Sequence, residues 1–483
     1  MHTPAPAHPP AKHAPGLLVV LLLVLPWVQP WAPGPESNTV PLLISWAALA
    51  LLLAMGRWPT AHELARAWVW AALASSAMGL LQYFGEAARL GGWVHVPAYL
   101  GDAVGNLRQR NQLATLTSLG AVALLWWRSQ GLAAGHALWM LGLLALGNAA
   151  TGSRTGLLQW LLLPALLLLW QGDLRRHQAP WSWRLLLWGL SVYLLATLAL
   201  PQAFKLWTGT DIDSAVARMG ALGGCGSRQA LWGNVLHLIG QQPWTGWGWG
   251  ELKYAHYMAS YPGTRFCDIL GNAHNLPLHL AFAFGIPAAL ALTLAVLLLL
   301  WRAKPWRVAP VDSLAWGVLA MVGLHSLLEY PLWYGPFQVA TLASLVLLWP
   351  RARTALQAPG PLWITLGWAG LVLVLFVGAD YQRARQVYLP PAQRWSIWAQ
   401  DPWIAAERSM FFAEAVRFAQ VTTTPVTEDN ASAMLQASQA LLHYSPEPRV
   451  IDKLIESARL AHEDALADWH AAQKAAVYGA SSQ

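Results

Sequence analysis

Apolar stretches of bilayer-spanning length recur along most of the chain, and nothing else in the sequence restricts its fold as much. A run of about 18 or more apolar residues can cross the hydrocarbon core as a helix. The supply of charge agrees: only 11% of the 483 residues are charged, whereas a soluble domain carries about 25%. The 31 Trp also suit a chain with many membrane–water boundaries. The chain therefore reads as an all-α polytopic membrane protein.

Hydropathy predicts eleven spans, near 16–32, 41–56, 67–84, 111–127, 132–150, 155–171, 183–201, 274–301, 311–329, 337–350 and 360–379. Residues 1–15, rich in Pro and His, are expected to be a disordered cytoplasmic N-terminus. The first apolar run has no clean small-residue cleavage site after it, so it is expected to be a retained span. Residues 202–273 form a long polar loop, and 380–483 a tail. The net charge of +7 does not indicate nucleic-acid binding, because the basic residues sit in short clusters between spans. Those clusters orient the chain by the positive-inside rule. Lys12, Arg57, Arg66, Arg128, Arg175, Arg176, Arg184, Arg302, Lys304, Arg307, Arg351 and Arg353 all fall on one side, expected to be cytoplasmic. The long loop and the tail then lie in the periplasm. The tail holds about half of the acidic residues and has apolar residues at helical spacing in 401–421 and 446–476. It is expected to be a periplasmic helical domain, with a tetratricopeptide-like pairing as one option.

The opposite loops carry few cations, and the exceptions stand out. Arg108 and Arg110 lie in GNLRQRNQLA (105–114), and Arg154 in TGSRTG (151–156). Glu329, in HSLLEYPLWY (325–334), ends an apolar span on the same side. A charge within the bilayer costs about 2.5–3.5 kcal/mol on insertion scales. Snorkelling to the interface explains any one of these residues; several on one face point to a site. In the long loop, Arg228 opens an amphipathic stretch that ends in a Gly/Trp turn, GWGWG. That string is not a dinucleotide fingerprint, because no strand precedes it. His274 and Asn275 sit where the loop enters the eighth span. A lone histidine is most often structural, but it is also the commonest general base near neutral pH. His279, about a turn further in, is the weaker candidate.

Together RQALWGNVLHLIGQQPWTGWGWG, HNLPLHLAFAFGIPAAL, TGSRTG, NLRQRNQLA and HSLLEYPLWY resemble the O-antigen ligase and polymerase superfamily, most closely its protein O-oligosaccharyltransferases. The resemblance runs from about residue 100 into the tail. It implies a GT-C-like multi-pass fold in a bacterial inner membrane. It also implies transfer of an oligosaccharide from a polyprenyl-diphosphate carrier to a Ser or Thr hydroxyl of a periplasmic protein such as a pilin. No cofactor, essential metal, nucleotide sugar or nucleic acid is expected, and the partners are the lipid-linked glycan, the acceptor protein and membrane lipids. The family's essential loop histidine corresponds to His274, and Arg228 is the best match to its loop arginine. Arg154, Arg265, Arg110, Asn111, Asn275, Glu329 and Tyr330 are expected to meet the diphosphate or glycan. A polymerase, or a ligase acting on lipid A core, would use the same donor. A transporter would instead need charges near the midplane and internal repeats, which the sequence lacks.

The chain's two cysteines, Cys225 and Cys267, both fall in the long loop. In an oxidising periplasm they are expected to pair and close it; the alternative is two buried thiols.

Overall fold

A computed structural model of the chain describes residues 16–211, 224–357 and 359–479. The N-terminal segment expected to be disordered lies outside the described residues, as does part of the long loop. Within them the chain is helical and contains no strand.

Every apolar stretch singled out above falls on a helix. These are α1 (Leu17–Val28), α2 (Thr39–Ala54), α3 (Ala61–Tyr83), α4 (Arg110–Ser129), α5 (Ala134–Thr151), α6 (Arg154–Arg176) and α7 (Trp183–Thr208). After the long loop's α8 (Arg228–Gln241) and α9 (Leu252–Met258) come α10 (Leu276–Ala303), α11 (Pro310–Ser326), α12 (Gly335–Leu348), α13 (Pro350–Gln357) and α14 (Pro361–Arg385). Length and apolarity alone qualify five as spans: α3, α6, α7, α10 and the helix that begins at Pro361. Helices α1, α2 and α12 are apolar but shorter, with 12, 16 and 14 residues. Helix α4 is surrounded by protein and buried from Gln112 to Trp126, so it has no lipid to match. It carries Thr115, Thr117 and Ser118 inward, where they meet other buried polar groups. Asn148 donates to Ala114 O at 2.8 Å and Thr117 Oγ1 at 2.7 Å, and Gln159 donates to Thr115 Oγ1 at 2.9 Å. By contrast α10 and α14 expose most of their apolar windows, as lipid-facing helices do.

Two of the boundaries that differ from the sequence expectation bear on the loop and the site. Helix α7 runs through Pro201 to Thr208, because one proline removes a single ladder bond and leaves the rest. Helix α11 ends at Ser326, so Glu329 lies in the connection after it and not inside a span.

The loop builds its own core, with Leu231, Val235, Leu238, Leu252, Ala255 and Leu270 packed on Phe282 and Ala283 of α10. The tail consists of α15 (Trp403–Ala406), α16 (Ala413–Thr423), α17 (Ala431–Tyr444), α18 (Pro448–Leu460) and α19 (Asp464–Tyr478). Its core includes Phe418, Leu441, Ile451 and Leu454, and it takes in Tyr257 from α9. Tyr257 Oη lies 3.0 Å from His470 Nδ1, Lys253 donates to Tyr444 O at 2.9 Å, and His443 Nδ1 lies 2.6 Å from Glu251 Oε2. The tail is thereby seated on the loop.

Candidate active site

Three helices, α4, α6 and α8, each begin with an arginine: Arg110, Arg154 and Arg228. All three, with Arg108, line one cleft of about 410 Å³. A helix N-terminus presents unpaired N–H groups and the positive end of the peptide dipoles, which favour an anion. Arginine adds a planar fork of donors suited to phosphate oxygens. Sequence builds these starts locally. Ser153 caps α6 by accepting from Gly156 N, and Gly152 takes the left-handed turn (φ 57°) between α5 and that cap. Ser227 caps α8 by accepting from Ala230 N.

At the edge of the cleft Glu329 gathers three partners. His274 Nδ1 lies 2.6 Å from its Oε2, Arg228 Nη2 donates to its Oε1 at 2.6 Å, and Asn111 Nδ2 donates to the same Oε1 at 2.9 Å. Arg228 also donates to Leu328 O. Asn111 is itself held by Ser153, whose hydroxyl donates to Asn111 Oδ1 at 2.6 Å. Burial of Glu329 opposes ionisation, but the hydrogen bond and charge of His274, joined by Arg228, outweigh it and hold the carboxyl below its ordinary range. Glu329 is thus a carboxylate that orients the His274 ring and the Arg228 guanidinium.

His274 has a left-handed backbone (φ 51°), uncommon outside glycine, and its N–H is fixed by Asn272 Oδ1 at 2.9 Å. Strain of this kind persists where the surroundings over-determine it, and it clusters at functional sites. The next residue, Asn275, starts α10: its Oδ1 accepts from Leu278 N at 3.1 Å, and its amide donates to Leu327 O at 3.0 Å. The Tyr330 ring meets the His274 ring edge-on at 5.0 Å.

The structure therefore brings together His274, Arg228, Glu329, Asn111, Asn275 and Tyr330, with Arg154 and Arg110 along the adjoining cleft. Arg154 is exposed in that cleft. Arg110 pairs with Asp102, and Arg108 donates to Pro30 O at 2.8 Å and Ala32 O at 3.3 Å. Arg265 is not brought there. It donates to Ala259 O at 2.9 Å and to His256 O, and it lies over the Tyr261 ring, so it braces the loop. His279 is enclosed by Trp249 and Trp333 at 5.2 and 5.3 Å. Cys225 and Cys267 are bonded, with Cα atoms 5.1 Å apart, and Cys225 lies three residues before Arg228, the first residue of α8. Sequence reasoning had not singled out Ser153 or Asp102. Ser153's position before a helix, inside the quoted TGSRTG, is the signal that could have found it. Among the described residues no three His, Cys, Asp or Glu side chains converge.

Comparison with known proteins follows the same segments. Residues 139–293 match the family described as O-antigen ligase, residues 103–127 the protein glycosylation ligase family, and residues 313–483 the C-terminal region of virulence factor membrane-bound polymerases. Over 300 residues the chain is 24% identical to a general O-oligosaccharyltransferase of Acinetobacter baylyi (strain ATCC 33305 / BD413 / ADP1), covering 59% of this chain and 52% of that protein. The match thus spans about half the length of that relative.

Proposed function

This chain is a relative of the O-antigen ligase superfamily, most like its protein O-oligosaccharyltransferases, and on that premise we propose that it moves an oligosaccharide from a polyprenyl-diphosphate carrier to a Ser or Thr hydroxyl of a periplasmic protein, pilins being one class of acceptor. The observation that carries the reading is the cleft on which three arginine-headed helices open, with the His274–Glu329 pair at its edge.

In this reading the diphosphate lies along Arg154, Arg228 and Arg110. The acceptor hydroxyl attacks the anomeric carbon as the bond from that carbon to the diphosphate oxygen breaks, and the diphosphate leaves with the electron pair. Arginines and helix ends aimed at those oxygens stabilise the charge that builds there. His274 has Nδ1 turned to Glu329, so Nε2 is the nitrogen left to take the acceptor's proton, and Glu329 stabilises the imidazolium that forms. The arginines supply positive charge and paired donors to the diphosphate oxygens. The topology that goes with this reading has eleven crossings of a bacterial inner membrane, a cytoplasmic N-terminus, and loop and tail in the periplasm.

The likeness of residues 313–483 to membrane-bound polymerases favours a second acceptor, a growing glycan. Co-expression with a lipid-linked glycan and candidate acceptors separates the readings: glycan on a protein supports the proposal, while glycan on lipid A core or a lengthened polymer replaces it. His274→Ala and Arg228→Ala are expected to insert normally and lose transfer. Near-normal transfer by His274→Ala at saturating donor would remove its role.

A further inference from the structure

Beyond α14 the chain does not pass directly into the tail helices. It runs through short turns at Gln386–Tyr388, Pro391–Gln393 and Ser396–Trp398, then α15, and returns to α14 at residues 409–411. Asp380, fully buried on α14, draws it back. Its carboxylate accepts the Ser409 hydroxyl at 3.0 Å, Met410 N–H at 3.0 and 3.1 Å, and Phe411 N–H at 2.9 Å. The Phe411 ring then meets Phe376 edge-on, with centroids 6.1 Å apart. Phe376 lies about one helical turn further along α14 toward its middle. It belongs to a span whose apolar window is only 6% buried, and it is itself 43% exposed. Phe411 is therefore level with side chains that face lipid.

The segment leading to Phe411 carries exposed apolar side chains, interspersed with exposed Ser396, Gln400, Asp401, Glu407 and Arg408. Trp395 and Trp398 stack at 5.2 Å, and Trp395, Ile397, Ile404, Met410 and Phe411 are all exposed, Ile397 by 78% and Met410 by 70%. Exposed apolar side chains gathered beside a lipid-facing helix, with polar residues among them, point to an interaction surface. Here Phe411 joins them to the lipid-facing surface of α14 through Phe376, and tryptophans favour the headgroup level.

We propose that residues 395–411 are an interfacial membrane anchor. Trp395, Ile397, Trp398, Ile404, Met410 and Phe411 lie in the headgroup–acyl boundary of the leaflet that meets the Arg385 end of α14, as the apolar face of a monotopic segment does. The occupant of this surface is the bilayer. The anchor fixes the height of the tail, and the tail's contacts with Glu251, Lys253 and Tyr257 of the loop pass that height to the segment that enters α10 at His274.

The test uses the full-length protein in nanodiscs of phosphatidylethanolamine and phosphatidylglycerol. Ile397→Cys and Met410→Cys are each spin-labelled; the native cysteines are bonded to each other and do not react without reductant. Collision with oxygen, which partitions into lipid, is compared with collision with a water-soluble nickel chelate. Leu373→Cys, on the exposed face of α14, gives the lipid reference, and Glu456→Cys, in the tail, the water reference. The labels at 397 and 410 are expected to give an oxygen-to-nickel ratio severalfold above that at 456 and approaching that at 373. A ratio equal to that at 456 overturns the proposal. So does protection from both reagents, which would put a protein surface, a second copy or an acceptor, on this face. Neither result bears on the transfer reaction proposed above.

Discussion

His274 Nδ1 and Glu329 Oε2 lie 2.6 Å apart, although a complete membrane-length helix and its return separate them in the chain. The carboxylate also holds Arg228 and Asn111, so one side chain sets the ring that would take the proton and the fork that would meet the diphosphate. Glu329→Gln keeps the shape and removes the charge. Transfer is expected to fall by up to about 10⁴-fold, the scale for amidating a carboxylate that orients a catalytic histidine, with insertion and expression retained. Initial rates with purified lipid-linked glycan and acceptor measure this. A rate within a few-fold of the parent would leave Glu329 as a brace alone.

How much of this was legible in the sequence depends on range. The apolar stretches are local signals, and each lies on a helix. Arg110, Arg154 and Glu329 were legible because charge at a span end is costly, and so conspicuous, whereas Arg228 and His274 were legible through the motifs that carry the family resemblance. Their mutual contacts were not, because where α11 stops relative to the start of α10 is decided by packing between helices. Arg265 shows the limit: sequence reveals a cation in the loop, but not that backbone carbonyls of Ala259 and His256 consume its donors. The seating of the tail on α9 was hidden for the same reason, since nothing local in LKYAHYM marks Tyr257 as part of a distant core.

The bridge between Cys225 and Cys267 closes a loop with a sequence separation of 42 and brings Cys267 N within 3.3 Å of Cys225 O. On the chain-entropy model such a loop contributes about 4 kcal/mol. The Cys225→Ser, Cys267→Ser double variant should melt at a lower temperature and lose part of its transfer rate as the start of α8 loosens. Maleimide should label the denatured parent only after reduction. Labelling of both thiols without reductant in protein from an oxidising compartment would contradict the bridge.

His256 makes loop stability depend on pH. It is buried, its Nδ1 lies 2.8 Å from Tyr261 Oη, and its Nε2 lies 3.2 Å from Phe266 O. Burial, with the nearby Arg265 charge, lowers its pKa from 6.5 to about 3. The folded loop therefore keeps His256 neutral while the unfolded loop protonates it, so the unfolded state binds more protons below the ordinary value and stability falls with falling pH. The loss should begin as pH drops through 6.5 and continue toward about 3, the window set by the two values, at a limiting slope of about 1.4 kcal/mol per pH unit. Limited proteolysis of the loop at stepped pH measures it. His256→Gln should flatten the dependence across that window, and an unchanged slope would assign it to other groups.

The Gly/Trp turn meets a break in α10, and glycine is required on both sides of the contact. At Gly285 (φ 83°, ψ 163°) the helix opens. Trp247 N donates to Phe282 O at 2.8 Å, Gly248 N to Ala283 O at 3.0 Å, and Ile286 N to Pro243 O at 2.8 Å, so the turn from 243 to 248 replaces the ladder that the break removes. A Cβ on Gly285 would stand 2.2 Å from Trp244 O, and one on Gly246 2.6 Å from Ala283 O. Backbone lies on the far side of each contact, so no flexible side chain can yield. Gly285→Ala should therefore cost at least about 2 kcal/mol through steric overlap and a φ that alanine disfavours. Because the broken turn closes the start of α10 against the loop, it should also reduce transfer. Gly172→Ala, on α6 with nothing near its Cβ, is the control and should leave stability level or raise it by up to about 1 kcal/mol. Thermal unfolding of both variants in the same detergent decides the matter: a Gly285→Ala protein that melts with the parent would mean the turn and the helix do not meet as described.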